Sequence, residues 1–181
     1  VLRNNQVIHR DHPIDRAVRA SSWDKPVLCR IEFGWGPWGD LNMARTCDWR
    51  FKVAVSDGKI LSATPCFQAG PFDEQRRNKI ETVDDRSCEV VSYTSRLQAY
   101  EESATNSIIL EIQGSPETGL TISLTQPIEM TIRKSLKQLA RSSDTEITGP
   151  FTSESILLHR LAFAENYRTE FELVDEPESK G

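Results

Sequence analysis

The stretch WRFKVAVSDGKI, residues 49–60, decides the fold class. Bulky apolar side chains occupy every second position from Trp49 to Val55, and polar or small side chains stand between them. This alternation is typical of a β-strand that buries one face. Asp57-Gly58 follows, a dipeptide that favours a two-residue hairpin turn, and such a turn would place Trp49 opposite Cys66. The sequence therefore predicts a β-hairpin centred on Asp57-Gly58.

Similar runs elsewhere in the chain predict further strands. The predicted strands are Ser87–Thr94, Ser107–Gln113, Leu120–Thr125, a short one near Glu146, Ile156–Phe163 and Tyr167–Asp175. In the last of these, the alternation predicts Phe171 on the buried face. Residues 68–85 are polar, and we expect an exposed excursion with one helical turn there. One internal helix is predicted at Lys134–Arg141, where Leu136 and Leu139 share a face.

The order of these elements indicates the fold class. Because no repeated strand–helix pattern occurs, the chain is predicted to be all-β, an antiparallel β-sandwich of Greek-key or meander topology with one short connecting helix. Its 181 residues are expected to form one domain. We divide them into an N-terminal arm at residues 1–26, a sandwich domain at 27–176 and an acidic tail at 177–181. Since Val1 opens the sequence, we expect a mature or excised chain whose compartment is unknown.

The charge balance argues against two classes of partner. The chain holds 27 acidic and 22 basic residues, which gives a net charge of −5. Nucleic-acid phosphates need clustered lysine and arginine, and the sequence has neither a basic stripe nor a known nucleic-acid-binding motif. No stretch has the length and apolarity of a spanning helix or of a targeting segment. We therefore expect a soluble domain that binds neither nucleic acid nor membranes.

The four cysteines, Cys29, Cys47, Cys66 and Cys88, allow three disulfide connectivities. In the predicted hairpin Cys47 and Cys66 would be diagonal neighbours about 7–8 Å apart, too far for an undistorted bridge, although a bulge could bring them together. The sequence has no C-x-x-C spacing, which argues against a zinc ribbon or finger. We expect four reduced thiols in or beside the core.

The N-terminal arm contains a candidate metal site. His9-Arg10-Asp11-His12 offers two imidazoles and one carboxylate, which are ligands of divalent metals. Two histidines three positions apart face one ion only on a helix or in a tight loop, and Pro13 disfavours a helix at His12. We therefore favour an exposed N-terminal segment and keep His9, Asp11 and His12 as the alternative metal site. No cofactor is predicted.

No catalytic signature accompanies the remaining histidine. His159 lies within the apolar run ILLHRLAF, residues 156–163, and no serine or cysteine nucleophile motif occurs. A hydrogen-bonded structural histidine is favoured over a catalytic base at such a place. The sequence also lacks the motifs of serine hydrolases, zinc proteases, dinucleotide-binding proteins and P-loop proteins. We therefore predict no catalytic residue, and an enzymatic role is less favoured for this chain than a binding role.

Tryptophans are the remaining candidates for a ligand or partner site. The stretch GWGPWGD, residues 34–40, places Trp35 and Trp38 in a glycine-rich segment, and Trp23 precedes it. Glycines let the backbone turn sharply, which suits either a corner where indoles pack on the core edge or an open platform on which a sugar ring stacks. We favour the corner or an interdomain contact over the platform.

Four pieces of the sequence resemble a known protein region. They are RIEFGWGPWGDLNMARTCDW (Arg30–Trp49), VSDGKI (Val55–Ile60), ILEIQGSPETGLTISL (Ile109–Leu124), and ESILLHRL with FELVDE between Glu154 and Glu176. Together they are similar to the β-sandwich region that accompanies the catalytic domain in bacterial proteins related to PHP-type metallo-dependent hydrolases. The resemblance spans about Val27 to Glu176. It implies a non-catalytic companion domain, since the hydrolase ligands would lie upstream, and it implies a further strand after the acidic turn, which this chain lacks.

Two functions of different class follow from these observations. The first is an accessory, structural or interaction domain of a larger bacterial protein, whose partner is a neighbouring domain or a second copy of the chain. The alternative is a carbohydrate-binding module that uses Trp23, Trp35 and Trp38. A third hypothesis, a small metallohydrolase, would need His159 together with the histidines and Asp11 of the N-terminal arm.

Overall fold

Eleven β-strands and one α-helix make up the described part of the chain, in a computed structural model that describes residues 2–3, 5–10, 23–34, 46–67, 78–95, 104–150, 154–163 and 171–172. The elements are β1 (Leu2–Arg3), β2 (Gln6–Val7), β3 (Val27–Gly34), β4 (Thr46–Cys66), β5 (Lys79–Val83), β6 (Ser87–Ser95), β7 (Thr105–Gln126), β8 (Met130–Ser135), α1 (Leu136–Arg141), β9 (Asp144–Ile147), β10 (Ser155–Leu158) and β11 (Ala162–Phe163).

Nine of these strands form one open sheet in which every pairing is antiparallel. Its strand order is β5-β6-β4-β7-β3-β10-β9, with β8 paired to β7 and β11 paired to β3. Within the described residues, β1 and β2 form a separate two-stranded sheet. The predicted all-β, antiparallel character is therefore confirmed. The described residues contain one helix, α1, which lies within the range where the short connecting helix was predicted.

Two long strands run through the middle of the sheet, and they correct the predicted hairpin. The 21 residues of β4 include Asp57-Gly58, and the strand pairs with β7 on both sides of this dipeptide. Cys66 consequently lies opposite Ser107 and not opposite Trp49. Ser107–Gln113 and Leu120–Thr125, which were predicted as two separate strands, belong to one strand of 22 residues, β7.

A bulge explains why a turn dipeptide lies inside a strand. Ser56 pairs with Gly119 and Gly58 pairs with Gly114, so Asp57 alone stands opposite the four residues 115–118. Asp57 has the left-handed φ of 55°, a conformation that aspartate tolerates better than most residues. The bulge is held from the other strand, because the hydroxyl of Thr118 donates to the Asp57 carbonyl at 2.9 Å.

The apolar face predicted for residues 49–55 is the centre of the core. Trp49, Phe51, Val53 and Val55 are all buried, while the residues between them are exposed or half-buried. The Phe33 ring of β3 packs on two of them, with its centroid 5.4 Å from that of Trp49 and 5.1 Å from that of Phe51. The period-two burial prediction is therefore confirmed for this strand.

The helix α1 is shorter than predicted. It begins at Leu136 because Ser135 caps it: the Ser135 hydroxyl accepts from the Gln138 backbone N–H, and the Gln138 side chain accepts from the Ser135 N–H. Lys134, predicted to be helical, lies in β8 instead. Leu136 and Leu139 are buried as expected. The helix packs on β7 and β8 and contributes Leu136, Leu139 and Ala140 to the core.

Three further expectations need correction. Residues 79–83, predicted to lie in an irregular excursion, form the edge strand β5. Phe171 was expected on a buried face and is 47% exposed, while the other residues of that predicted face lie outside the described part of the chain. Among the cysteines, three are free and buried as predicted, whereas Cys66 is free but exposed.

Replacement of Gly58 by valine is expected to lower the free energy of unfolding by about 1–2 kcal/mol. A β carbon at Gly58 would lie 2.9 Å from the Gln113 carbonyl oxygen, a backbone atom that cannot move without disturbing the bulge. Urea unfolding measures the loss. Lys59→Val places the same side chain on an exposed neighbour and should change stability by less than about 0.5 kcal/mol. Equal midpoints for the two variants would contradict the close contact at Gly58.

Candidate binding site at the loop end of the sheet

Several strands end close together in space, in a region that we call the loop end: Asn106, next to the first residue of β7, donates to Ser92 and Tyr93 near the end of β6. Gly34, the last residue of β3, pairs with Thr105, the first of β7, and with Ser155, the first of β10. Thr46, the first residue of β4, pairs with Ser95, the last of β6. The loop end is thus the place where the chain leaves the described sheet toward residues 35–45 and 96–103 and returns from them.

Buried polar residues are concentrated at the loop end. Among the described residues, ten polar or charged side chains are buried, and eight of them lie at or near the strand ends that form the loop end. These eight are Ser92, Thr94, Ser95, Asn106, Ser107, Thr148, Glu154 and Ser155. Burying such groups costs free energy unless each has a hydrogen-bond partner, so we take their concentration here as the indication of a candidate binding site.

At the loop end, a hydrogen-bonded network centred on Asn106 joins three segments of the chain. The Asn106 amide donates to the Ser92 hydroxyl at 3.1 Å, to the Tyr93 carbonyl at 3.0 Å and to the Asn78 side-chain oxygen at 3.2 Å. The same Asn78 oxygen accepts from the Ser92 hydroxyl at 2.7 Å and from the Tyr93 N–H at 3.0 Å. Such a satisfied network in a low-dielectric interior fixes the positions of the segments that it connects.

The network rests on the aromatic core. The indole N–H of Trp49 donates to the Thr94 hydroxyl at 2.8 Å, so this ring is held by a polar contact on one side and by Phe33 on the other. Close by, the Thr148 hydroxyl and its backbone N–H donate to the Glu154 carbonyl at 2.8 and 2.9 Å. The loop end is therefore a rigid base for the segments that begin and end on it.

The structure explains why the first residue of the glycine-rich stretch, Gly34, is a glycine. Its φ of +132° lies where residues with a side chain are rarely found, and a β carbon would lie 2.9 Å from the Thr105 Cα and closer still to the Ala104 carbonyl oxygen. The chain can therefore leave β3 toward Trp35 in this direction only because residue 34 has no side chain.

The predicted ligand and metal candidates are placed as follows. Trp35, Trp38, Asp11 and His12 lie outside the described residues. Trp23 is half-buried and packs against the hydrophobic core. His9 is half-buried, and its ring stacks on Phe171 with centroids 4.0 Å apart and an interplanar angle of 21°. Over the ranges that the structure describes, no three histidine, cysteine or acidic side chains are grouped to hold a metal ion.

His159 lies on the face of the sheet opposite the core. Its Nε2 is 2.9 Å from the Glu32 carboxylate, which also pairs with the Arg30 guanidinium at 3.2 Å. Arg30 in turn donates from Nε to the hydroxyl of Ser107 at 3.2 Å. The histidine, which directly follows β10, is therefore part of a half-buried polar chain with residues of β3 and β7, an arrangement that holds the side chains in place.

The buried thiols are poorly suited to nucleophilic chemistry. Burial raises the pKa of Cys29 to about 12 and that of Cys88 to about 11. Since the thiolate is the reactive form, both side chains remain protonated and unreactive at neutral pH. Their positions beside Leu110 and Val53 in the sheet register agree with the predicted role of small core residues.

The Asn106 network was missed by sequence reasoning. Asn78, Ser92 and Asn106 are isolated polar residues at distances of 14 and 28 positions along the chain, and no local motif links them. The one usable signal is a polar residue at a core-facing position of a predicted strand, which Ser92 is; Asn106 lies one residue before the predicted strand Ser107–Gln113.

Comparison with protein-family models, curated proteins and solved structures finds no match to this chain. Nor does the described part of the chain contain a helix with the length and apolarity needed to cross a membrane.

Proposed function

We propose that this chain is a non-catalytic interaction domain whose loop end contacts a neighbouring domain or a second copy of the chain. The observation that carries the proposal is the Asn106 network, which fixes the strand ends from which residues 35–45 and 96–103 depart. Loops on a rigid scaffold are where β-rich domains most often bind partners. Tryptophans are frequent anchors in such contacts, so Trp35 and Trp38 are the proposed contact residues.

The proposal includes a β-sandwich of Greek-key or meander type for the domain. Phe33 pairs with Asn106, whose neighbour Ser107 pairs with Cys66 at the far end of β4. A straight strand at about 3.3 Å per residue would place Trp49 more than about 50 Å from Cys66. The contact of the Phe33 and Trp49 rings therefore supports a sheet that folds over on itself near the bulge at Asp57.

An exposed edge supports association through the loop end. β9 is the last strand of the described sheet on that side, and its residue Ile147 pairs with Ser155, which pairs with Gly34. Ile147 is 36% exposed on this edge. An unpaired strand with an exposed apolar residue is a favourable place for pairing with another chain.

The larger bacterial protein implied by the resemblance remains part of the proposal, with a metallo-dependent hydrolase as the neighbouring domain. The similar pieces include both strands around the bulge and the glycine-rich stretch that follows β3. The reading frame upstream of Val1 tests this part. A metal-ligand-rich catalytic domain encoded there supports it, and a frame that starts at Val1 contradicts it.

Self-association of the chain is expected and can be measured by sedimentation velocity over a concentration series. Ile147→Lys, which puts a charge on the β9 edge, should weaken association about tenfold, as should Trp35→Ala combined with Trp38→Ala. Val83→Lys is the matched control, because Val83 is an apolar residue that is 49% exposed and lies beside Cys88 in the register, several residues from the β6 end at Ser95. It should change the association constant by less than about twofold.

Two outcomes contradict this proposal. A strict monomer at all concentrations, with a full upstream frame lacking a second domain, leaves no partner for the loop end. Tryptophan fluorescence that saturates with one member of an oligosaccharide panel, and loses that response in Trp35→Ala, would establish the carbohydrate-binding alternative instead.

A further inference from the structure

A cavity of about 260 Å³ opens beside α1. It is lined by Lys134, Gln138, Leu139, Arg141, Ser142 and Asp144. We propose that this cavity binds a small molecule bearing a carboxylate or phosphate group. The site is separate from the loop end, since Asp144 pairs with Leu158 at one end of β9 and Ile147 pairs with Ser155 at the other.

Three donors in the lining are available to an anion. Across the described part of the chain, neither the Arg141 guanidinium nor the Ser142 hydroxyl has an ion-pair or hydrogen-bond partner. The Gln138 side chain is oriented by its oxygen, which accepts from the Ser135 N–H at 2.8 Å, so its amide nitrogen is left to donate. A guanidinium with a neighbouring amide and hydroxyl is well suited to a carboxylate or phosphate.

The acidic residues near the cavity are compensated by bases. Lys134 forms ion pairs with Asp144 and, at 3.1 Å, with Glu146. Hydrogen bonds to these two carboxylates raise the pKa of Lys134, so the ammonium stays charged. Lys134 supplies one positive charge for these two carboxylates, and Arg160, whose Nε donates to the Ala140 carbonyl at 2.9 Å, adds a second at the end of α1.

Local charge favours an anion although the whole chain is acidic. The segment TIRKSLKQLARSS, residues 131–143, holds four basic residues and no acidic one, within a chain of net charge −5. Two of these bases are ion-paired, Lys134 with Asp144 and Glu146 and Lys137 with Glu117, so the charge that attracts an anion to the cavity is that of Arg141. The cavity volume lies near the lower limit for ligand pockets, which restricts the ligand to a small molecule.

Titration with two small anions tests the proposal. Inorganic phosphate and succinate are added separately to ¹⁵N-labelled protein at constant ionic strength, with sodium chloride as the reference. We expect saturable shifts of the Gln138 side-chain NH₂, the Arg141 Nε–H and the Ser142 amide with at least one of the two anions. Phosphate alone would assign a phosphorylated ligand, and succinate alone would assign a carboxylate.

A pair of arginine variants makes the test specific. Arg141→Gln should weaken binding about tenfold or more, because it removes a charge-assisted contact. Arg133→Gln removes the same charge from an exposed residue outside the cavity lining and should weaken binding less than about twofold. Two results would overturn the proposal: chemical-shift changes in sodium chloride as large as those with phosphate or succinate, or an equal loss of affinity in the two variants. The amide resonances of core residues, which should not move, show that both variants are folded.

Discussion

Replacement of Trp49 by alanine is expected to lower the free energy of unfolding by about 3–5 kcal/mol, a large part of the stability of a domain this size. Trp49 is fully buried, and its ring lies between Phe33 and the strand that carries Thr94. The variant creates a cavity in the core and also leaves the buried Thr94 hydroxyl without its indole donor. Urea unfolding followed by circular dichroism gives the loss, since the fluorescent group itself is removed.

Two further variants separate the packing from the hydrogen bond. Trp49→Phe keeps a six-membered aromatic ring and removes the five-membered ring with its N–H, so it should cost less than the alanine variant, about 1–3 kcal/mol. Lys52→Ala changes an exposed residue on the same strand and should stay within about 0.5 kcal/mol of the parent protein. If Trp49→Ala were no worse than Trp49→Phe, the ring would not be a central part of the core.

The strands could be predicted where alternating burial produces an alternating pattern of apolar and polar residues in the sequence. The alternation from Trp49 to Val55 reports which side chains face the core, and that information lies within a few residues. The same holds for Leu136 and Leu139 in α1, although its start was misplaced by two residues because the cap at Ser135 overrides the apolar spacing.

The hairpin could not be distinguished from a bulge by local sequence. Asp57-Gly58 favours a left-handed backbone in either case, and the choice depends on Thr118, 61 positions away, whose hydroxyl holds the Asp57 carbonyl. A turn would have paired β4 with itself. Pairing with the 22 residues of β7 instead places both strands in the middle of the sheet, where their apolar residues are buried.

The candidate site was predictable only in part. The composition of GWGPWGD marks the stretch that begins at the loop end, but the hydrogen bonds that make this edge rigid come from residues dispersed over three segments. Polar pairing of this kind depends on which strands become neighbours. Sequence patterns of one chain carry no record of that neighbourhood, so Asn106 reads locally as an ordinary strand residue.

Replacement of Gly34 by alanine is expected to lower the free energy of unfolding by about 3 kcal/mol or more. The φ of +132° is unfavourable for alanine, and its β carbon would press against backbone atoms of Ala104 and Thr105, which cannot yield as a side chain would. Gly119→Ala is the matched control. Its β carbon would meet only the Ser56 hydroxyl oxygen at 2.6 Å, at the movable end of a side chain, so the loss should stay below about 1 kcal/mol.

Because Gly34 opens the segment that holds Trp35 and Trp38, we also expect Gly34→Ala to weaken self-association beyond its effect on folding. Equal stability of the two variants in urea would mean that the exit of the chain from β3 does not need glycine, and the loop end would lose the rigidity on which its proposed role depends.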